Sequence, residues 1–112
     1  MTSTREIGDE FEEEIIRLLN EHSPENEWDS TAGSGSKWQD GDIRHQDYVG
    51  ECKVKSNVRG FTAPASELNK LISEADKQFK DWLYFERNGD GRTMVLMDMN
   101  TFLELYEKAT HE

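Results

Sequence analysis

Asp42, Glu51 and Lys53 are the residues of this chain whose types and spacing could do chemistry. A hairpin folded about Gln46-Asp47 brings Asp42 opposite Glu51, and strand alternation puts Lys53 on the Glu51 face. Two carboxylates held close together repel each other unless a cation lies between them. An oxygen-only pair suits Mg²⁺, with Mn²⁺ as a substitute. A lysine beside such a metal is the equipment for attacking a phosphodiester. The expectation from these residues is metal-dependent nuclease chemistry.

The 112 residues are expected to form one domain, residues 1–112, large enough to bury a core. Charged residues make up 33% of the chain and the formal net charge is −11, the wrong sign for affinity built on phosphate neutralisation. Charge alone points to an acidic soluble protein with an ordinary hairpin. Its distribution differs: across 37–60, Lys37, Arg44, Lys53, Lys55 and Arg59 outnumber Asp40, Asp42, Asp47 and Glu51. The acid lies elsewhere, in the first helix and the carboxy-terminal half. The single cysteine, Cys52, excludes an internal disulfide and a Cys-based zinc site. Lying between Glu51 and Lys53, it is expected to face the core side of its strand. His22, His45 and His111 lack paired ligand spacing. The amino terminus has no apolar signal run and no stretch approaches a membrane span, so a reducing, cytoplasmic setting is expected.

The elements that must position the hairpin follow from periodicity. Ile7, Phe11, Ile15, Leu18 and Leu19 predict a first helix to about Glu21, capped by Ser3 or Thr4. Glu12 falls inside its apolar arc, where a carboxylate must be paired, protonated or bound to a cation, and so is a candidate third ligand. Glu27 to Thr31 predicts a strand with Trp28 packed. The polar loop Ala32 to Lys37 offers backbone N–H groups, two hydroxyls and an ammonium suited to phosphate. The hairpin strands are expected over 41–45 and 48–55. Leu68, Leu71, Ile72, Ala75 and Phe79 predict a second amphipathic helix. Strands over 82–86 and 93–99 flank the Asn88-Gly89-Asp90-Gly91 turn, whose composition is explained by turn chemistry better than by calcium. A last helix starts at Asn100 or Thr101, and Met94, Met97 and Met99 are read as core or interface filler.

Three blocks within residues 8–55 resemble the archaeal-type Holliday junction resolvases of the PD-(D/E)xK nuclease superfamily: Gly8-x-x-x-Glu12, Ser34-Gly35-Ser36-Lys37, and Asp42-Ile43 followed by Glu51-Cys52-Lys53. The resemblance implies an α/β fold with a restriction-endonuclease-like core, a central mixed β-sheet flanked by helices. It implies that Glu12, Asp42 and Glu51 hold Mg²⁺ with the backbone carbonyl of Cys52, and that Lys53 orients or activates water. Ser34, Ser36 and Lys37, with Lys55 and Arg59 of the basic segment, would contact DNA. A homodimer would cut opposing strands of a four-way junction, in recombination or repair. The chain departs from the pattern in placing Gly41 where proline is usual and Thr2-Ser3-Thr4-Arg5 where a lysine-rich arm is common. The carboxy-terminal half matches by pattern only. Its compactness and acidity fit a phage-encoded member. The alternatives are another DNA nuclease of the superfamily (nicking, repair or restriction-like), a catalytically silent acidic binding module, and a helical adaptor.

Overall fold

A computed structural model describes residues 4–23, 27–31 and 42–111, with three helices and a five-stranded mixed sheet. In chain order these are α1 (Thr4–His22), β1 (Asp29–Ser30), β2 (Ile43–Arg44), β3 (Tyr48–Lys55), α2 (Ala65–Lys77), β4 (Asp81–Asn88), β5 (Thr93–Met97) and α3 (Met99–Thr110). The strands lie side by side in sequence order, and only β3 and β4 are parallel. A parallel pair needs a crossover, and α2 supplies it. The fold is α/β, as expected. No described helix is long and apolar enough to cross a membrane.

Each face of the sheet is covered by one helix. Phe11 and Ile15 of α1 bury against Trp28, Ile43, Leu83 and Phe85, with Tyr48, Cys52 and Val54 at the margin. Leu71 and Ala75 of α2 bury against Val49 and Tyr84 on the other face. Cys52 thus lies on the α1 side, as alternation requires. Strand β4 is apolar on both faces because it sits between the two layers. Each fully buried side chain of this kind contributes about 1.5–3 kcal/mol. Polar ties fix α1 in register: Arg87 meets Glu14 at 2.6 Å while its guanidinium carbon stands 4.8 Å from the centre of the Phe11 ring. The Arg87 hydrogen bond holds the Glu14 carboxyl below its ordinary range. At the other end, Asn20 both accepts from the Trp28 N–H (2.8 Å) and donates to the Trp28 carbonyl (3.1 Å).

Most predicted elements are present, with informative differences at their ends. The first strand and the first hairpin strand are shorter than expected, and Gly41 and Ser3 lie outside the described residues. Thr4 is already helical, so it is not the cap. The fifth strand stops at Met97 because Asp98 caps α3, its carboxylate accepting from the Asn100 N–H at 2.9 Å. Met99 is therefore helical and 64% exposed rather than core. Asn88 organises the β4–β5 turn, accepting from the Asp90 and Arg92 N–H groups at 3.1 and 3.0 Å. Gly89 approaches the Ser56 carbonyl so closely that a Cβ there would stand 2.4 Å from it.

Phe79 corrects the apolar periodicity. Helix α2 ends at Lys77, and the Phe79 and Lys80 N–H groups return to the carbonyls of Asp76 (3.2 Å) and Ala75 (3.0 Å). This is the Schellman ending, which puts Phe79 in the left-handed region (φ 57°) where glycine is usual. The ring is 98% exposed. A left-handed conformation costs a non-glycine residue roughly 1–2 kcal/mol, and glycine gives back roughly 0.5–1 kcal/mol as unfolded-state entropy. Phe79→Gly is therefore predicted to stabilise the fold, by up to about 1 kcal/mol, as a higher urea midpoint at unchanged slope. A lower midpoint would mean that the ring makes a stabilising contact.

Candidate active site

Strand pairing places the chemistry. Ile43 pairs with Gly50 and Arg44 with Val49, which puts the turn at Gln46-Asp47 and brings Asp42 to the head of β2 beside β3. The Asp42 main chain is tied on both sides: its N–H donates to the Gly50 carbonyl (2.8 Å) and its carbonyl accepts from the Thr31 N–H (3.1 Å). Its carboxylate accepts from the Cys52 N–H at 2.8 Å. The carboxylate thus lies over the residue between Glu51 and Lys53. Gly50 permits this approach, because a Cβ there would stand 2.5 Å from Ile43 Cγ1. On β3, the Lys53 ammonium lies 3.4 Å from Glu51 Oε1. Glu12 reaches down from α1 and accepts from the Ser30 hydroxyl at 2.6 Å.

Glu12, Asp42, Cys52 and Lys53 line one cleft of about 640 Å³, together with Gly8 and Asn57. Glu51 stands outside that lining, joined to it by the Lys53 ion pair and by repulsion from Asp42. Among the described residues no three carboxylate, histidine or cysteine side chains converge as a ready-made metal cage. The donor chemistry nonetheless suits a hard divalent cation. It consists of oxygen atoms only, on carboxylates that burial and mutual repulsion disfavour as anions.

The electrostatics are those of an acidic cluster with one fixed cation. Burial raises the Asp42 pKa, against the Cys52 N–H and the Lys53 charge. Burial and then the Asp42 charge raise Glu51 to about 7. Burial also raises Glu12, partly offset by the Ser30 hydroxyl and reinforced by Asp42. For Lys53, burial works against the charge, but Glu51 and Asp42 outweigh it and its pKa is raised. Lys53 is therefore an ammonium at neutral pH, a donor of positive charge with no lone pair to act as a base. The Cys52 thiol is pushed up by burial and by three neighbouring carboxylates, which leaves it inert.

The remaining sequence candidates divide. Ser34, Ser36, Lys37 and Trp38 lie outside the described residues. Arg59 is exposed, while its carbonyl accepts from the Asn88 side chain. Lys55 is held internally, donating to the Thr62 carbonyl at 2.7 Å and standing 3.5 Å from Glu86 and 3.6 Å from Glu67. Sequence reasoning missed Ser30, the partner of Glu12, and Glu86, a fully buried carboxylate that also accepts from the Thr62 N–H at 2.8 Å. The only sequence signal for Ser30 was its place in the short first strand. Glu86 showed itself only as a charge at the end of an apolar run.

Compared with protein-family models, curated proteins and solved structures, the chain matches none.

The Glu51 shift has a definite consequence for stability. A carboxyl whose folded-state pKa is raised from 4.5 to about 7 holds a proton in the folded state across that window. Stability therefore falls as pH rises from about 4.5 to about 7. Glu51→Gln removes that loss and is predicted to be more stable than the wild type at pH 8, by roughly 3 kcal/mol at most. The advantage should shrink towards pH 4. Urea unfolding of both proteins at the two pH values measures it. A pH-independent difference would mean that Glu51 ionises freely in the folded protein.

Proposed function

We propose that this chain is a metal-dependent DNA endonuclease with a PD-(D/E)xK-type core, acting on four-way junctions as a homodimer. The observation that carries the reading is the Asp42–Cys52 hydrogen bond, which sets a proton-avid carboxylate directly over the Glu51-Cys52-Lys53 strand. Support also comes from Glu12, the third carboxylate, and from Lys53, charged at the same cleft. A structural hairpin has no need to set two carboxylates of raised proton affinity, Asp42 and Glu51, beside one ammonium.

In this reading Asp42, Glu51 and the Cys52 carbonyl hold Mg²⁺, with Mn²⁺ as a substitute. Glu12 contributes either after releasing Ser30 or through water. When bound, the metal supplies positive charge to the phosphate oxygens and lowers the pKa of water. The protein does the rest. Asp42 and Glu51, fixed on paired strands, orient the site. Lys53 neutralises charge that develops on phosphorus-bound oxygen and positions the attacking water. Water oxygen bonds to phosphorus, one phosphodiester P–O bond breaks, and the leaving oxygen departs as an alcohol. Arg59 and the segment holding Ser34, Ser36 and Lys37 contact the backbone. A four-way junction is two-fold symmetric, so a two-fold dimer would deliver paired nicks.

The test compares Mg²⁺-dependent cutting of a four-way junction, a linear duplex of the same sequence and a single strand. Asp42→Asn is predicted to abolish cutting while the fold and DNA binding persist. Lys53→Ala is predicted to slow it by about 10²–10³-fold, the scale of losing one transition-state donor. Paired junction nicks lost in Asp42→Asn establish the reading. Cutting confined to linear or single-stranded DNA assigns a different nuclease role. Absence of metal-dependent cutting leaves the net charge of −11 to favour a silent acidic binding module.

A further inference from the structure

The two edges of the sheet are unlike. One edge, β1, is two residues long, and a short edge strand is one way of blunting an edge. The other, β5, runs Thr93-Met94-Val95-Leu96-Met97 with no charge and no proline, in a chain that is 33% charged. Lysine, proline and bulges, the usual guards against edge-to-edge pairing, are all missing from it. The Asn88 N–H donates to the Arg92 carbonyl at 2.9 Å, which sets the ladder phase. Arg92, Met94 and Leu96 therefore turn their backbone groups toward β4, and Thr93, Val95 and Met97 turn theirs outward. Val95 is 45% exposed.

We propose that β5 pairs antiparallel with β5 of a second copy of this chain, centred on Val95, to join the two sheets into one. The sequence fits its own reversal. With Val95 against Val95 of the second copy, Thr93 faces Met97 and Met94 faces Leu96, each pair on one face of the sheet. The residues just beyond then oppose: Arg92 of each copy meets Asp98 of the other. Arg92 is exposed and its guanidinium has no partner among the described residues. Asp98 spends one carboxylate oxygen on the α3 cap and keeps the other. A register shifted by one residue in either direction breaks both charge pairs and the face alternation.

Local charge order, not net charge, selects a second copy. The net charge of −11 on each copy opposes association, so contact is confined to the uncharged β5 seam, whose flanking Arg92 and Asp98 complement only a reversed copy of themselves. One strand pair alone falls short of the roughly 800 Å² per partner that stable interfaces bury. The apolar surface next to the seam supplies more: Met99 at 64% exposure and Phe102 at 46% begin α3 directly after Asp98. This inference does not rest on the nuclease reading, since it uses no residue of the cleft.

The experiment is sedimentation velocity of the full chain over a concentration series, without DNA. Wild type should sediment at twice 13.0 kDa. Val95→Lys sets two ammoniums against each other across the axis and should sediment as a monomer with unchanged circular dichroism. Arg92→Glu alters an exposed residue and should shift dissociation to at least about tenfold higher concentration. Val95→Cys should form a disulfide-linked dimer on mild oxidation, because opposed positions stand at disulfide range, whereas Thr93→Cys and wild type, with Cys52 off the edge, should not. A wild type that stays monomeric throughout overturns the proposal. A dimer that survives both Val95→Lys and Arg92→Glu, or that fails to cross-link through Val95→Cys, does so equally. Cleavage assays play no part: a monomeric wild type would also remove the homodimer from the proposed function, whereas the Val95 and Arg92 variants test the β5 seam alone.

Discussion

The parallel pairing of β3 with β4 is the constraint on which the rest of the molecule depends. It is the longest ladder in the sheet, running unbroken from Tyr48 opposite Asp81 to Lys55 opposite Asn88. Because the pair is parallel, α2 must cross over one face, and because β4 is apolar on both sides, α1 must cover the other. The consequence for chemistry is direct. Glu51 and Lys53 sit in the middle of that ladder, opposite Tyr84 and Glu86, so their backbone is fixed by β4. The partial burial of Glu51, and of Asp42 clamped beside it, follows from the architecture rather than from local sequence.

The same architecture explains how a chain of net charge −11 carries a concentrated acidic site without unfolding around it. Each carboxylate has a specific hydrogen bond or ion pair: Glu12 to Ser30, Asp42 to the Cys52 N–H, Glu51 to Lys53. None of these bonds cancels the burial cost, and all three proton affinities stay above their ordinary values. Elsewhere the buried charge is treated differently. Glu86 is fully buried yet is met by Lys55, the Thr62 N–H and the Tyr84 hydroxyl together. That cluster pins the loop after β3 to β4. One group of carboxylates is balanced for structure and the other is left under-compensated, and the second group is the one that lines or adjoins the cleft.

Legibility in the sequence followed how local the deciding interactions are. Helices α1 and α2 could be read from apolar spacing, and the Asp42–Glu51–Lys53 neighbourhood from a turn at Gln46-Asp47 with strand alternation, because these use only contacts a few residues apart. Glu12 was legible as an inward carboxylate for the same reason. Phe79 was misread because it continues the apolar spacing of α2, while the helix is ended by backbone bonds that spacing does not encode. The internal capture of Lys55 was illegible too, since Thr62, Glu67 and Glu86 reach it from three other segments. A lysine at the solvent-side parity of a strand reads as free until those segments are placed.

The two proposals meet in geometry. An antiparallel strand pair has its two-fold axis perpendicular to the sheet, so joining two copies at β5 keeps both α1 faces on the same side. From β3 of one copy to β3 of the other there are five strand spacings of about 4.8 Å, a separation of roughly 24 Å. The two clefts would then open on one continuous surface and run in opposite directions. Nothing in the β5 edge requires this to be useful, because the edge is unguarded for reasons of its own sequence. Two oppositely directed sites on one face would match any two-fold pair of antiparallel DNA strands, a four-way junction among them, whereas a strand nicked once would engage only one. The edge strand and the cleft lie at separate places in the sheet, so association leaves the cleft open.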